Sequence, residues 1–193
     1  KAFERAARDS GLGTTVTVTA DPDALRASER IVLPGVGAFR DCRNGLMAVP
    51  GLWQTLQDEV INKGKPFLGI CVGMQLMATR GLEHDVTEGF GWIQGDVKPL
   101  SPNDPSFKIP HMGWNTVEAS STTTLFKGVE GESFYFVHSY AAKSSVGTTQ
   151  AWSTHGEKFL AAVEDGYISA TQFHPEKSGA AGLALIKNWV GSL

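Results

Sequence analysis

Cysteine is scarce in this chain. Cys42 and Cys71 are the only two among 193 residues; they form no Cys-x-x-Cys pair, and no histidines lie at the spacing of metal ligands. A disulfide framework and a zinc site both need several such residues at defined intervals, so neither is expected. No metal and no cofactor is predicted, and Cys42, which lacks any flanking pattern, is expected to be structural.

The chain also lacks an excess of positive charge and any long apolar run. Lysine and arginine number 17 against 20 aspartates and glutamates, so a nucleic-acid backbone would meet no basic surface. No apolar stretch approaches the roughly 20 residues of a membrane span, and no signal peptide is recognisable. We therefore expect a cytoplasmic protein with neither nucleic acid nor membrane as a partner.

The pattern of apolar residues predicts an α/β fold. Helical and strand-like segments alternate in the first half, which favours a parallel sheet, and strand-like runs follow one another after Gly81. We expect a single domain over residues 1–193: an open, mostly parallel sheet flanked by helices, with an antiparallel strand portion in the second half. Helices are predicted at residues 1–10, 72–79 and 178–190 and after Asp21-Pro22, and strands at residues 14–19, 30–33, 65–70, 91–97, 114–118, 133–137, 148–152, 160–164 and 167–171.

Cys71 lies at a sharp turn between an apolar strand and a helix. Gly69 and Gly73 stand two positions before and after it, as a turn needs when strand and helix backbones approach closely. The start of the helix favours the thiolate, and the Val72 N–H is a donor for an oxyanion. The pattern predicts a nucleophilic cysteine; a small buried core residue is the alternative.

A candidate base lies far downstream, after the strand-like run at residues 167–171. Pro175 disfavours the helical region for His174, so the histidine is held extended while Glu176 can turn back toward it. Cysteine, histidine and carboxylate in this chain order can form a triad, in which His174 accepts the thiol proton and later protonates the leaving group. An ordinary loop after a strand is the alternative.

A glycine-rich turn follows the strand-like residues 31–33. Gly35 and Gly37 flank Val36, so its peptide adopts either orientation at low cost and the N–H can supply or withhold a second oxyanion donor. Such a donor is typically worth about 3–4 kcal/mol of transition-state stabilisation. A dinucleotide-binding loop is disfavoured because the third glycine it needs is replaced by Arg40; helix capping is the simpler alternative.

These segments together resemble the triad-type, or class I, glutamine amidotransferases, and among them the glutaminase subunits of imidazole glycerol phosphate synthase. The narrower resemblance rests on residues 34–39, residues 109–115 and Lys177 directly after the glutamate. It extends over essentially the whole chain. The family's first strand and its Gly-Asn loop have no counterpart in the sequence, so we expect an unpaired edge or gap in the sheet there.

The resemblance implies a reaction on L-glutamine. Cys71 attacks the side-chain amide, His174 transfers the proton and Glu176 orients His174. Ammonia leaves, and water releases glutamate from the thioester. The implied oxyanion hole comprises Val72, Val36 and Gly37, and the implied substrate-binding residues are Gly35, Gln75, Glu83, His138, Ser139 and Tyr140. For Glu83, a solvated loop charge is the alternative.

The resemblance also implies a partner. In this family ammonia passes to a separate cyclase subunit, in a heterodimer that makes imidazole glycerol phosphate and aminoimidazole carboxamide ribotide for histidine biosynthesis. Trp114 and Lys177 resemble interface positions near the ammonia entry. Family members commonly need the partner for activity, which a rarely competent Val36 peptide would explain. The alternatives are a γ-glutamyl hydrolase, a glutaminase of another synthase and a catalytically silent binding subunit.

Overall fold

The computed structural model describes residues 1–11, 13–143, 147 and 149–192. Its helices are α1 (Ala2–Asp9), α2 (Pro22–Ala27), α3 (Phe39–Met47), α4 (Leu52–Gln57), α5 (Val72–Leu76) and α6 (Gly179–Gly191), with a π-helical segment at Asp58–Asn62 and a 3-10 turn at Pro175–Lys177. Its strands are β1 (Ile31–Gly35), β2 (Phe67–Cys71), β3 (Ala78–Glu83), β4 (Asp85–Glu88), β5 (Ile93–Pro99), β6 (His111–Thr116), β7 (Glu118–Ala119), β8 (Ser133–His138), β9 (Tyr140–Ala142), β10 (Thr149–Thr154), β11 (Lys158–Asp165) and β12 (Ile168–Thr171).

A six-stranded mixed sheet carries the candidate site. Its strand order is β1-β2-β12-β11-β10-β7. The strands β1 and β12 flank β2 in parallel, and β11, β10 and β7 continue the sheet antiparallel. Every residue of β2 is buried, as is typical of a central parallel strand. The predicted α/β class, with parallel strands first and antiparallel strands later, is confirmed.

Two smaller sheets complete the strand structure. One has the order β4-β3-β5-β9, and the other pairs β6 with β8. The β6–β8 pair is antiparallel, and its register places His111 opposite His138. This pairing brings the middle of the chain next to the residues that follow β2 and β12.

A cluster of phenylalanines fixes the position of the β12 end. Phe173 stacks on Phe134 with ring centroids 4.3 Å apart and meets Phe136 edge-on at 5.5 Å. All three rings are fully buried. Because aromatic pairs add about 0.5–1.5 kcal/mol beyond their buried area, they anchor the backbone immediately before His174.

Local sequence rules explain the helix boundaries. The Asp21 side chain accepts a hydrogen bond from the Asp23 N–H at 3.0 Å, and Pro22 occupies the first turn, so α2 begins where predicted. The predicted helix at residues 72–79 is shorter than expected, because it ends at Leu76 and β3 begins at Ala78.

Among the described residues no helix has both the length and the apolar character to span a membrane.

The predicted strand at residues 14–19 is wrong. These residues form no strand, and Val18 is 98% exposed. Alternating β-branched residues form a strand only when a neighbour pairs with their backbone, and β1, the end strand of its sheet, pairs only with β2 in the described part of the chain.

The other predicted strands appear with shifted ends. Thr148, the first residue of one of them, lies outside the described residues, and the rest of that strand forms part of β10. Four elements, α4, β3, β4 and β9, were not predicted.

Candidate active site

Cys71 occupies the turn between β2 and α5. Its backbone has φ 55° and ψ −111°, a conformation that residues with a side chain rarely adopt. The residue is 4% exposed. Its sulfur accepts a hydrogen bond from Gln172 Nε2 at 3.7 Å and lies 4.0 Å from the Val137 carbonyl oxygen. The predicted strand-to-helix turn is present.

The glycines around Cys71 are required by close backbone contacts. A Cβ on Gly73 would lie 1.9 Å from the Leu33 carbonyl oxygen, and a Cβ on Gly69 would lie 2.8 Å from the Gly73 oxygen. A Cβ on Gly35 would lie 2.9 Å from the Gly73 nitrogen. The start of α5 therefore packs directly against the backbones of both β1 and β2. This close approach is possible because Gly35, Gly69 and Gly73 have no Cβ.

His174 and Glu176 form the predicted pair. His174 Nδ1 lies 2.8 Å from Glu176 Oε1, which leaves Nε2 for another partner. Nε2 is buried and makes no hydrogen bond within the described part of the chain. The backbone holds the residue in place, since the His174 N–H donates to the Tyr135 carbonyl at 2.9 Å and the Ser178 hydroxyl donates to the His174 carbonyl at 2.6 Å.

Charge around His174 favours its protonated form. Burial alone would lower the pKa of the imidazole, but the Cys71 sulfur and the Glu176 carboxylate outweigh it and raise this pKa to about 9. For Glu176, burial raises the pKa, but the hydrogen bond with His174 outweighs it, so the pKa lies below its usual value. Cys71 and Glu176 thus both favour the charged form of His174, and their joint action as a catalytic triad stays a prediction.

The Val36 turn lies beside the cysteine. The β1–β2 register pairs Gly35 with Cys71, and Val36 directly follows Gly35 in the chain. Gly37 has φ +107°, which favours glycine. The Cys42 thiol donates to the Val36 carbonyl at 3.3 Å. Burial, followed by the charges of Asp41, Cys71 and Glu83, raises the pKa of the Cys42 thiol, which keeps it a donor.

The start of α5 supplies the other predicted donor. Val72 is the first residue of α5, and the first amides of a helix have no intrahelical partner. Val72 is buried beside Gly35. Its backbone N–H begins the helix directly after Cys71, and its role as an oxyanion donor stays a prediction.

Glu83 has a structural contact that the sequence did not indicate. Its Oε2 accepts a hydrogen bond from the Phe39 N–H at 2.8 Å, and Phe39 is the first residue of α3. The carboxylate therefore caps α3, a helix that has no side-chain cap at its own N-cap residue. This contact places Glu83 near the Val36 turn.

The predicted substrate-binding residues at the junction of β8 and β9 and in α5 come together. Gln75 Nε2 donates to the Tyr140 carbonyl at 2.9 Å and to Gln172 Oε1 at 3.0 Å. His138 Nδ1 also lies 2.9 Å from the Tyr140 carbonyl. The Ser139 carbonyl accepts from the Leu100 N–H at 2.8 Å. The segment at residues 138–140 is thereby fixed beside Gln75.

Trp114 and Lys177 lie on the same outer surface. Trp114, on β6, is 58% exposed, and its ring meets Tyr135 at 6.1 Å. Lys177 closes the turn that contains Glu176 and is exposed. The Trp114 ring would lie 3.8 Å from a Cβ on Gly179, two residues beyond Lys177. Met112, also on β6, is 64% exposed, so two large apolar side chains of this strand face outward, as is typical of an interaction surface.

Gln172 was missed by the sequence interpretation. It lies two residues before His174, and residues two apart in extended chain share a face, so the alternation could have identified it. Among the described residues no group of three or more histidine, cysteine, aspartate or glutamate side chains has an arrangement able to hold a metal ion. The site holds a cysteine, a histidine paired with a carboxylate and the first amides of a helix, the kinds of group that acyl transfer uses.

Comparisons with known proteins agree with this chemistry. The family model for class-I glutamine amidotransferases matches residues 2–191. The imidazole glycerol phosphate synthase subunit HisH of Mesorhizobium japonicum is 52% identical, over 98% of this chain and 90% of that protein. The subunits of the same name from Agrobacterium fabrum and Brucella suis are 50% and 48% identical over the same shares.

Solved structures show the same fold at low sequence identity. A crystal structure of a glutamine amidotransferase superposes with a TM-score of 0.65 at 14% identity and covers 94% of this chain and 88% of that one. The glutaminase domain of Trypanosoma brucei CTPS with bound acivicin has a TM-score of 0.60 at 15% identity, covering 100% and 86%. The chain therefore belongs to the class-I glutamine amidotransferase family, and within it to the family of the imidazole glycerol phosphate synthase subunit HisH.

Proposed function

We propose that this chain hydrolyses L-glutamine to glutamate and ammonia and delivers the ammonia to a cyclase subunit of imidazole glycerol phosphate synthase. The observation that carries the proposal is the Cys71–His174–Glu176 unit in a chain about half identical to HisH over 98% of its length. Half identity over the whole chain makes a change of reaction class improbable, and the site keeps every group that thioester chemistry needs.

Cys71 is the proposed nucleophile. His174, whose raised pKa keeps it protonated near pH 7, already holds the thiol proton on Nε2, and the Cys71 sulfur attacks the side-chain amide carbon of glutamine. His174 then gives that proton to the departing nitrogen, so ammonia leaves and a γ-glutamyl thioester remains on Cys71. Water, deprotonated by the same imidazole, attacks the thioester and releases glutamate. Glu176 keeps Nδ1 protonated and the ring oriented through the 2.8 Å hydrogen bond.

The oxyanion of each tetrahedral intermediate forms beside Val72, Val36 and Gly37. The Val72 N–H comes from the start of α5, and the Val36 N–H follows directly on β1, whose last residue Gly35 pairs with Cys71. Preorganised donors of this kind are typically worth about 3–4 kcal/mol each. The glutamine main-chain groups are assigned to Gly35, Gln75, Glu83 and the segment at residues 138–140.

The cyclase is proposed to bind the surface that contains Trp114 and Lys177. Lys177 follows Glu176 directly, and Trp114 lies next to Gly179, so this surface adjoins the turn that orients His174. The unit formed with the cyclase is a heterodimer in this proposal. We also propose that residues 1–193 form a single domain and act in the cytoplasm, as expected for a subunit of a biosynthetic synthase that uses free glutamine.

The deciding experiment measures glutamate release from L-glutamine by the chain alone and with a cognate cyclase plus its nucleotide ligand. We expect turnover that rises strongly with the cyclase and disappears in Cys71→Ala. Adding γ-glutamyl peptides as competing substrates tests the γ-glutamyl hydrolase alternative, for which peptide cleavage without the cyclase is expected. Binding of the cyclase with no glutamate release under either condition would identify a silent regulatory subunit.

A further inference from the structure

Gln172 lies between the nucleophile and Gln75, and its side chain is fully buried. Its Oε1 accepts from Gln75 Nε2 at 3.0 Å, and its Nε2 donates to the Cys71 sulfur at 3.7 Å. A side-chain amide has one oxygen and one nitrogen, so the end that faces Gln75 determines which end faces the sulfur. The orientation of the Gln172 amide therefore determines whether the sulfur faces a partially positive N–H or a partially negative oxygen.

The Tyr140 carbonyl sets this direction. A backbone carbonyl only accepts hydrogen bonds, so Gln75 must present its NH₂ group to Tyr140 O, at 2.9 Å. The same NH₂ group reaches Gln172, which must therefore present its oxygen to Gln75. Gln172 is left with its N–H toward Cys71, where a donor stabilises a thiolate and an acceptor would repel it.

A second arm of the network ends at the same carbonyl. His138 Nδ1 lies 2.9 Å from Tyr140 O and so must carry the proton. With Nδ1 protonated, the neutral ring of His138 has an acceptor at Nε2, which lies 3.0 Å from His111 Nδ1. His111 is therefore also protonated at Nδ1. Burial, the largest cause for each ring, lowers the pKa of His111 to about 3 and that of His138 to about 4, so both stay neutral near pH 7.

Asn115 completes the chain at the outer surface. Its Nδ2 donates to the Thr154 carbonyl at 2.9 Å, which fixes the orientation of its amide. The same group lies 3.3 Å from His111 Nε2, the unprotonated nitrogen of that ring. The hydrogen-bonded chain Asn115–His111–His138 thus ends at a backbone carbonyl on each side, Thr154 O and Tyr140 O. Because a carbonyl only accepts, each hydrogen bond in between has a single donor that fits both neighbours. Asn115 follows Trp114 directly on β6.

We propose that Gln172 is a positioning residue for Cys71. The Tyr140 carbonyl and Gln75 set its amide with the N–H toward the sulfur, and a hydrogen-bond relay from Asn115 through His111 and His138 holds this carbonyl in place. The proposal assigns a task to five side chains that hold no charge and extends the site to β6, the strand of Trp114. It rests on the proposed function for its catalytic meaning, but not for the hydrogen bonds themselves.

Alkylation of Cys71 by iodoacetamide tests the Gln172 arm on the whole chain, without glutamine or cyclase. Rates are read by mass spectrometry of the separate Cys71 and Cys42 peptides. Because hydrogen bonds to charged groups are among the stronger ones, we expect Gln172→Met to slow alkylation of Cys71 about tenfold and to leave Cys42 at the wild-type rate. Gln172→Glu keeps the shape but presents oxygen to the sulfur, and slows alkylation at neutral pH at least as much.

Gln57→Met is the matched control for a merely structural effect. Gln57 accepts a 2.9 Å hydrogen bond from Trp92 Nε1 and has no link to Cys71, so its loss destabilises the fold without touching the relay. We expect wild-type alkylation of Cys71 in this variant. An equal slowing in Gln57→Met and Gln172→Met, or a wild-type rate in Gln172→Met, would overturn the positioning role.

His111 tests the second arm through a rescue. In His111→Asn the amide nitrogen occupies the place of Nδ1 and donates to His138, whereas His111→Leu offers no donor. Both variants lose the ring that stacks on His155, so their stabilities fall together. We expect Cys71 alkylation to slow about threefold in His111→Leu, the effect of one neutral hydrogen bond, and to match wild type in His111→Asn. Equal rates in the two variants would overturn the relay.

Nitrogen-15 NMR of the wild-type chain gives an independent readout. The relay requires the proton on Nδ1 of both His111 and His138 at pH 7, and an Nε2 proton on either ring would overturn it. None of these measurements uses glutamine turnover. A chain that shows the tautomers and the alkylation pattern but releases no glutamate, even with the cyclase, therefore contradicts the proposed function and leaves the relay standing.

Discussion

Gly73→Ala is expected to separate the helix that begins after Cys71 from the strand beside it. A Cβ at position 73 would lie 1.9 Å from the Leu33 carbonyl oxygen and 3.0 Å from the Leu33 carbonyl carbon. Contacts under 3.0 Å essentially never occur for a real Cβ, and both contacts are with backbone, so no side chain can move aside. The start of α5 and β1 must move apart by more than 1 Å.

The energy of this change follows from overpacking. Adding a methyl group to a filled site typically costs about 1–3 kcal/mol, and we expect the upper end because the clash is with a carbonyl oxygen. A domain of this size has roughly 5–15 kcal/mol of total stability, so the variant folds but is less stable. The reaction suffers more, since a 1 Å misplacement of reacting groups costs on the order of 100-fold in rate.

Gly45→Ala is the matched control. Gly45 lies within α3, and a Cβ there meets nothing within 4 Å. Replacing a helical glycine by alanine typically stabilises by about 0.5–1 kcal/mol. Urea unfolding and glutamate release with the cyclase are measured for both variants. Wild-type stability and turnover in Gly73→Ala would refute the close-approach reasoning.

Three further changes test the site and its surface. Glu176→Gln removes the carboxylate that helps to raise the pKa of His174 to about 9, so NMR titration should give a lower pKa for His174 and glutamate release should fall. Because the folded-state pKa is raised, the stability that protonated His174 contributes is complete below its unfolded pKa of 6.5 and is lost as the pH rises through about 9. An unchanged titration would contradict the contact. Cys42→Ala removes the donor to the Val36 carbonyl and should destabilise by about 0.5–1.5 kcal/mol in urea, whereas Cys42→Ser should keep most of this stability; equal losses would argue against the hydrogen bond. Trp114→Ala should change the stability of the free chain by no more than about 0.5 kcal/mol but weaken cyclase binding in calorimetry by about 2 kcal/mol or more, as for a buried interface tryptophan; unchanged affinity would place the interface elsewhere.

The local parts of the site were predictable from sequence. A cysteine between two glycines at a strand-to-helix junction and a histidine before proline each depend on the backbone of a few consecutive residues. The structure has Cys71 at φ 55° and His174 in extended conformation, as those rules require. Helix ends with an N-cap aspartate and an early proline were equally local, and α2 begins where Asp21 and Pro22 indicate.

Other segments were wrong or unseen because their state depends on distant partners. Residues 14–19 have strand-like alternation but no strand beside them, and they remain exposed. The strand β3 follows directly on α5 and was mistaken for its continuation, since its identity comes from pairing with β4 and β5. Residue preferences alone do not determine such pairings.

The sequence by itself determined the nucleophile, its base and the turns that present them, because each is a property of a short stretch of backbone. Only the tertiary structure decided which groups surround the sulfur. Gln172, Gln75 and the Tyr140 carbonyl come from three separate parts of the chain, and Cys42 of α3 contacts Val36 in the turn that precedes this helix. The orientation of a buried amide depends on which acceptor lies opposite, and that is fixed only when the strands have paired.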